Sequence, residues 1–216
     1  MKSLKQRNLG NFLLGVVLVT VVVAPTAMIF RWTVDGGYAP WRNYVSDLSA
    51  GPVGSNTAFI VMILSFALLL GVFFVLSPRL LKAKYDAEPS IHVGSFFGIA
   101  CSVDFVIMAL YPLDLSRPDI YRIHVICGIV LFVCMAGFLS VYGLVLRDKN
   151  GLFRIGSYFG LISALLCLAF AVLLFLVEVT GTMNQSAIVY LIQWSAFFTF
   201  NLWALFTGVQ LRRDDT

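Results

Sequence analysis

Residues 38–55 read Tyr38-Ala-Pro-Trp-Arg-Asn-Tyr-Val-Ser-Asp-Leu-Ser-Ala-Gly-Pro-Val-Gly-Ser55. This is the one long polar interruption in a chain that otherwise reads as membrane helices. Three aromatics, Tyr38, Trp41 and Tyr44, stand among Arg42, Asn43, Ser46 and Asp47, and the stretch closes on Gly51, Pro52 and Gly54. Aromatic rings beside polar groups suit a segment at the headgroup level of a bilayer. A loop of this length is as a rule either functional or disordered.

The rest of the chain explains why so polar a stretch stands out. Of 216 residues, 60% are hydrophobic and only 12% charged, with a mean hydropathy of +0.91. A soluble domain averages about 45–50% apolar and about 25% charged residues. The excess belongs in a bilayer. The net charge of +4 is small and forms no basic stripe, which excludes nucleic acid as a partner. Cys101, Cys127, Cys134 and Cys167 all fall inside apolar runs, where cysteine behaves as a small apolar residue. Free thiols are expected, with no disulfide framework.

Six runs reach the ~20 residues that a span needs, at about 11–30, 57–76, 91–111, 120–146, 153–177 and 187–211. They predict one domain, residues 1–216, built as an all-α six-transmembrane-helix bundle. Pro25 should kink the first helix, and Ser77-Pro78-Arg79 should end the second. A charged loop with Lys82, Lys84, Asp86 and Glu88 follows. Later connections are Leu113–Asp119, the turn Arg147–Gly151 and the polar stretch Thr180–Ser186. Lys2, Lys5 and Arg7 before an apolar run, with small residues at Ala24-Pro25-Thr26-Ala27, also describe a secretory signal. The run exceeds the ~7–15 residues of a signal core, so it is read as a retained span.

Basic residues set the orientation. Eleven of the 15 Lys and Arg residues lie on the side of both termini; Arg31, Arg42, Arg117 and Arg122 lie on the other. The positive-inside rule then places both termini in the cytoplasm and the 38–55 loop outside. One short pattern recurs: Gly94-Ser-Phe-Phe-Gly98 opens span three and Gly156-Ser-Tyr-Phe-Gly160 opens span five. Small residues four apart let helices approach closely, and that reading is preferred to a duplication.

Ionisable and amide groups are costly inside a membrane and turn away from lipid. Asp104 lies about 12 Å below the outer boundary at 1.5 Å per residue, and Gln193, beside Trp194, roughly 8–10 Å deep. His124 opens span four and Glu178 ends span five at the same outer end, with Asp114 in the short loop before His124. These residues come from separate helices yet share the outer half of the membrane. They predict a polar, outward-facing cavity roofed by the loop, with Arg42, Asn43, Ser46, Asp47, Asp104, His124, Glu178, Gln193 and Trp194 as its ligand-binding groups. His92, at the cytoplasmic end of span three, reads as an interface residue.

Other chemistries find little support. Two histidines at opposite membrane faces do not make a zinc site, which needs three ligands and an open position, so neither metal nor cofactor is expected. No nucleophile elbow, phosphate loop or dinucleotide fingerprint occurs. No pair of interrupted spans at matching positions points to a carrier site.

The loop and the last helix carry a resemblance. Tyr44-Val-Ser-Asp-Leu-Ser-Ala-Gly-Pro resembles the Ile-Ser-Asp-(Thr/Leu)-Gly motif in the first outer loop of the six-span DRAM/Frag/Sfk family. His124 followed by Gly128 resembles its His-x-x-x-Gly/Ala, and Gln193-Trp-Ser-Ala-Phe-Phe-Thr-Phe200 its Glu-Trp-Ser-x-x-Phe-x-Phe, with Gln193 in place of the acidic residue. A prokaryotic family of six-span proteins of unknown function shares the Ser-Asp-Leu pattern, and this chain looks closer to that branch. The resemblance implies residence in secretory, lysosomal or plasma membranes and roles that share contact with lipid.

Together these features predict a non-enzymatic plasma-membrane protein that binds or regulates lipid, with membrane lipids and a second copy or another membrane protein as partners. Two alternatives stay open. One is a lipid acyl transferase or hydrolase with His124 as base and Asp47 or Asp104 as its orienting partner. The other is a proton-coupled carrier with Asp104 as relay.

Overall fold

The computed structural model describes residues 2–35, 38–85, 89–114, 116–180 and 187–214, and for residues 2–6, 35, 84 and 85 the description covers the backbone only. The side chains of Lys2, Lys5 and Lys84, the loop charges Asp86 and Glu88, and the polar stretch 181–186 lie outside the described residues. Six α-helices follow one another: α1 Lys2–Asp35, α2 Val53–Tyr85, α3 Ile91–Leu110, α4 Pro118–Arg147, α5 Leu152–Thr180 and α6 Ala187–Arg213. All six are long and apolar enough to cross a membrane, which makes this a multi-pass integral membrane protein with an all-α six-helix bundle.

Prolines shift two boundaries from those expected. α2 does not stop at Pro78 but continues to Tyr85. A buried proline costs a membrane helix one backbone hydrogen bond, here to the Phe74 carbonyl, and packed neighbours make that tolerable. Pro25 lies inside α1, within the span expected to contain it. α4 begins at Pro118 rather than Ile120, with the proline in the first turn, where its missing N–H would have had no partner anyway. The expected turn before α5 ends on Gly151 at φ +70°, in the left-handed region that glycine enters freely.

Each helix packs against its neighbours in sequence, and α6 closes on α1, so the six form a ring. Large apolar side chains such as Leu18, Phe96, Leu165 and Phe198 face outward and exposed, as lipid contact requires. Glycines set the close crossings. A Cβ on Gly98 of α3 would stand 2.3 Å from the Phe74 ring of α2, and one on Gly160 of α5 would stand 2.8 Å from the Trp203 ring of α6. The two Gly-x-x-x-Gly patterns thus serve close packing within the chain. Gly10 and Gly208, where α1 meets α6, sit so near that a Cβ on Gly10 would lie 2.6 Å from the Gly208 carbonyl oxygen.

The ring interior changes character along its axis. Away from the loop it is filled by fully buried Phe73, Phe74, Phe138, Tyr142 and Trp203. Trp203 is ringed by Phe138, Phe73 and Tyr142 with centroids at 5.7, 6.2 and 6.2 Å. The Tyr142 hydroxyl is shared between Ser77 and Ser95, 2.7 Å from the latter. Four cysteines remain free thiols inside the helices.

A candidate functional site beneath the loop

The loop is a tied structure rather than a loose connection. Ala39 accepts from the Arg42 and Asn43 amides at 2.9 and 3.0 Å, and the Asn43 side chain accepts from the Ala39 N–H at 3.0 Å. A single 3-10 turn, Val45–Leu48, follows. Asp47 caps it: its Oδ2 accepts from the Tyr44 N–H at 2.9 Å and the Asn43 amide at 3.3 Å. The last three residues of the stretch quoted above, Val53 to Ser55, already belong to α2.

Tethers then fix the loop to the ring. The Val45 N–H donates to Gln193 Oε1 on α6 at 2.7 Å, and the Trp194 indole donates to the Asn43 carbonyl at 3.0 Å. Arg31, at the end of α1, donates to the Asp47 carbonyl at 3.3 Å. Ser55 of α2 donates to the Leu48 carbonyl at 2.7 Å. The Leu113 N–H, between α3 and α4, donates to Ser49 Oγ at 3.0 Å. Burial pushes the Asp47 carboxyl above its ordinary value, although the Tyr44 amide, the Asn43 side chain and Arg31 pull the other way. Burial likewise pushes the Tyr44 phenol up to about 12, helped by Tyr190 and Asp47.

Beneath this roof lies a cavity of about 300 Å³. Its polar wall holds Arg31, Arg42, Asn43, Ser46 and Asp47 from the loop side, with Tyr121, His124, Tyr190 and Gln193 from the helices. Its apolar wall includes Met108, Phe132, Phe170 and Leu174. A smaller apolar pocket of about 60 Å³ shares Ser46, Met108, Phe132 and Gln193 with it and reaches Phe66, Met135 and Phe200. The Tyr44 ring lies edge-on to Tyr190 at 4.5 Å and to Phe170 at 5.9 Å.

Six of the nine expected site residues therefore meet at one cavity: Arg42, Asn43, Ser46, Asp47, His124 and Gln193. Three do not line it. Asp104 is buried at 5% exposure, with its Oδ2 lacking a partner, but Met108, one turn nearer the loop, takes the wall position. Glu178 is exposed at the end of α5. Trp194 serves as a tether. Asp114 makes a local turn, accepting from Ser116 N and Oγ at 2.9 and 2.6 Å, bonds that hold its carboxyl below the usual range. His92 lies at the other end of the ring with Arg79, beside a shallow groove between α2 and α3.

His124 has the most telling geometry. It is only 4% exposed, and its Nδ1 lies 3.0 Å from the Tyr111 carbonyl oxygen. A carbonyl only accepts, so Nδ1 carries the proton and the neutral ring keeps its lone pair on Nε2. Nε2 is buried without a partner. The group orienting this ring is the backbone carbonyl of Tyr111, not Asp47 or Asp104. Arg31, Tyr121 and Tyr190 are wall residues that sequence reasoning passed over. Among the described residues no three His, Cys, Asp or Glu side chains gather as a metal-ligand set.

A model of the family described as a protein of unknown function (DUF998) matches residues 18–210. The chain belongs to that family. The matched region of this DUF998 protein runs from α1 into α6 and takes in every residue of the cavity wall. Searches of curated proteins and of solved structures each found no match.

Proposed function

We propose that this DUF998 protein binds or regulates a membrane lipid without catalysing its conversion, in the plasma membrane, with both termini cytoplasmic and the 38–52 loop outside. The observation that carries the reading is a cavity under the loop with polar groups on one wall and apolar side chains on the other, beside an apolar pocket that shares four of its wall residues, inside a ring of lipid-exposed helices. An amphiphile needs both kinds of surface, and pockets that orient a ligand pair an apolar wall with a few placed polar groups. Arg42 suits the phosphate, since guanidinium binds such anions through paired donors. The resemblance to the DRAM/Frag/Sfk proteins, whose roles share contact with lipid, agrees with this.

The enzymatic alternative keeps one observation in its favour, a cavity-wall histidine, His124, whose buried Nε2 has no partner. The carrier alternative loses ground, because Asp104 stands outside the cavity wall and the aromatic layer around Trp203 fills the ring beyond it. The test is lipid analysis of protein purified with its native lipids. Combined Arg42→Ala, Asp47→Ala and His124→Ala should deplete one headgroup class, whereas Glu178→Gln, on an exposed position, should leave the profile unchanged. An identical profile in the triple variant overturns the reading. Turnover of a lipid ester by the purified protein, lost in His124→Gln, would replace it with the enzymatic one.

A further inference from the structure

We infer that the groove between α2 and α3, at the end of the ring away from the loop, holds an anionic phospholipid of the leaflet on that side, its phosphate at Arg79 and His92 and an acyl chain along Val75, Phe96 and Ile99. The groove shares no residue with the cavity under the loop, so this site does not rest on the reading given for that cavity.

Shape and order come first. The groove has a volume of about 320 Å³ and a floor of Phe74, Pro78 and Ser95, all three buried. Its floor presents no free hydroxyl, because Ser95 Oγ is bonded to Tyr142 at 2.7 Å. Its rims are exposed side chains, Val75 and Arg79 from α2 and His92, Phe96 and Ile99 from α3. Arg79 and His92 stand toward the helix ends, since α2 finishes at Tyr85 and α3 starts at Ile91. Val75 lies about 6 Å deeper than Arg79, and Phe96 and Ile99 lie about 6 and 10 Å deeper than His92, at 1.5 Å per residue. Polar groups near the surface, then apolar ones toward the middle of the bilayer, is the order of parts in a phospholipid.

Charge then selects the class. Arg79 is a full cation and His92 adds a ring N–H donor. Among the described residues neither has a hydrogen bond or ion pair, whereas Arg147, on the same side, is held by Asp148 at 3.2 Å. No carboxylate is among the groove walls. An uncompensated guanidinium binds phosphate oxygens through paired donors. Basic pockets between membrane helices take up anionic headgroups in this way. A zwitterionic lipid would bring its own cation to the same place, and a soluble phosphate would leave the apolar rims uncovered.

The experiment uses phosphatidylglycerol with a photoreactive diazirine in its acyl chain, and phosphatidylcholine carrying the same group. Each is added to the purified full-length protein in nanodiscs of dioleoyl-phosphatidylcholine, and labelled peptides are read by mass spectrometry. In the wild type, label on the peptides holding Val75 and Phe96 should be about fivefold greater from phosphatidylglycerol, the scale of one cation acting on an anionic lipid. Arg79→Gln with His92→Gln should remove that excess. Arg154→Gln, at an exposed cation of α5 on the same side, should keep it. All three substitutions fall on exposed positions, so folding is not at stake. Equal labelling by the two lipids in the wild type overturns the inference, and that arm needs no variant. An excess that survives the double substitution overturns the role given to Arg79 and His92. Its loss in Arg154→Gln overturns the groove in favour of diffuse surface charge. Its loss to soluble glycerol phosphate at comparable concentration overturns the lipid as the ligand. Because the label is read on α2 and α3 far from the loop, each of these failures leaves the reading of the cavity untouched.

Discussion

Gln193 accepts the Val45 N–H across 148 residues of sequence, and its neighbour Trp194 holds the Asn43 carbonyl. The polar side chain read from sequence as a ligand group is thus also the latch of the roof. Glutamate, the residue in the resembling motif, would offer Val45 the same kind of acceptor, so no acid–base role is needed to account for this position. Gln193→Leu should leave a buried N–H unsatisfied, at a cost of about 1–3 kcal/mol. Hydrogen exchange at Val45 and along the loop should speed up accordingly, while Gln193→Glu keeps it slow. Unchanged exchange in the leucine variant would remove the latch. The depth of Asp104 was legible in the sequence, but its angular setting was not: counting residues gives height along a helix, and Met108 one turn away is what meets the cavity. Arg31 escaped notice because charges at helix ends are ordinary. Its one trace in the sequence is Gly51, where a Cβ would lie 2.6 Å from the Arg31 guanidinium.

At the scale of helices, what proline and glycine do depends on their neighbours. The sequence marks Pro78 as a stop, yet α2 continues two turns beyond it, because breaker signals calibrated in water weaken where packed helices hold the backbone. The glycine pairs were legible as sites of close approach, but not the aromatic rings that lie against them. Gly98→Ala forces a Cβ to within 2.3–2.5 Å of the Phe74 ring, and overpacking of this kind costs about 1–3 kcal/mol. Its melting temperature in detergent should fall clearly below that of Gly128→Ala, where the nearest contact is an ordinary 3.5 Å to Leu174. Equal melting temperatures for the two variants would show that the α2–α3 contact yields readily. Gly10 and Gly208 form no motif in the sequence, since the two belong to opposite ends of the chain.

For the whole molecule, hydropathy alone reveals six spans and their approximate limits, because length and apolarity are what a bilayer selects. It does not reveal the ring. Helices in lipid gain little from hiding an apolar face, so the pattern of polar and apolar residues carries almost no information on which helix meets which. The cavity was inferred from shared depth; of the four residues that carried the inference, His124 and Gln193 line a cavity under the loop and Asp104 and Glu178 do not. Its floor could not be inferred: the aromatic layer begins about 21 Å below His124, fourteen residues along α4 at Phe138.

The latch and the last wall of the ring both belong to α6, the last of the six helices in chain order. A ribosome-bound chain with five helices inserted has a roof without its fastening and a barrel with a missing stave. Nascent chains arrested before residue 187 should therefore be labelled at Ser46→Cys faster than the finished protein, where the position is half-buried, and equal labelling rates would refute this order of closure. During those seconds of biosynthesis the compartment stands open along its side, like a room before the door is hung.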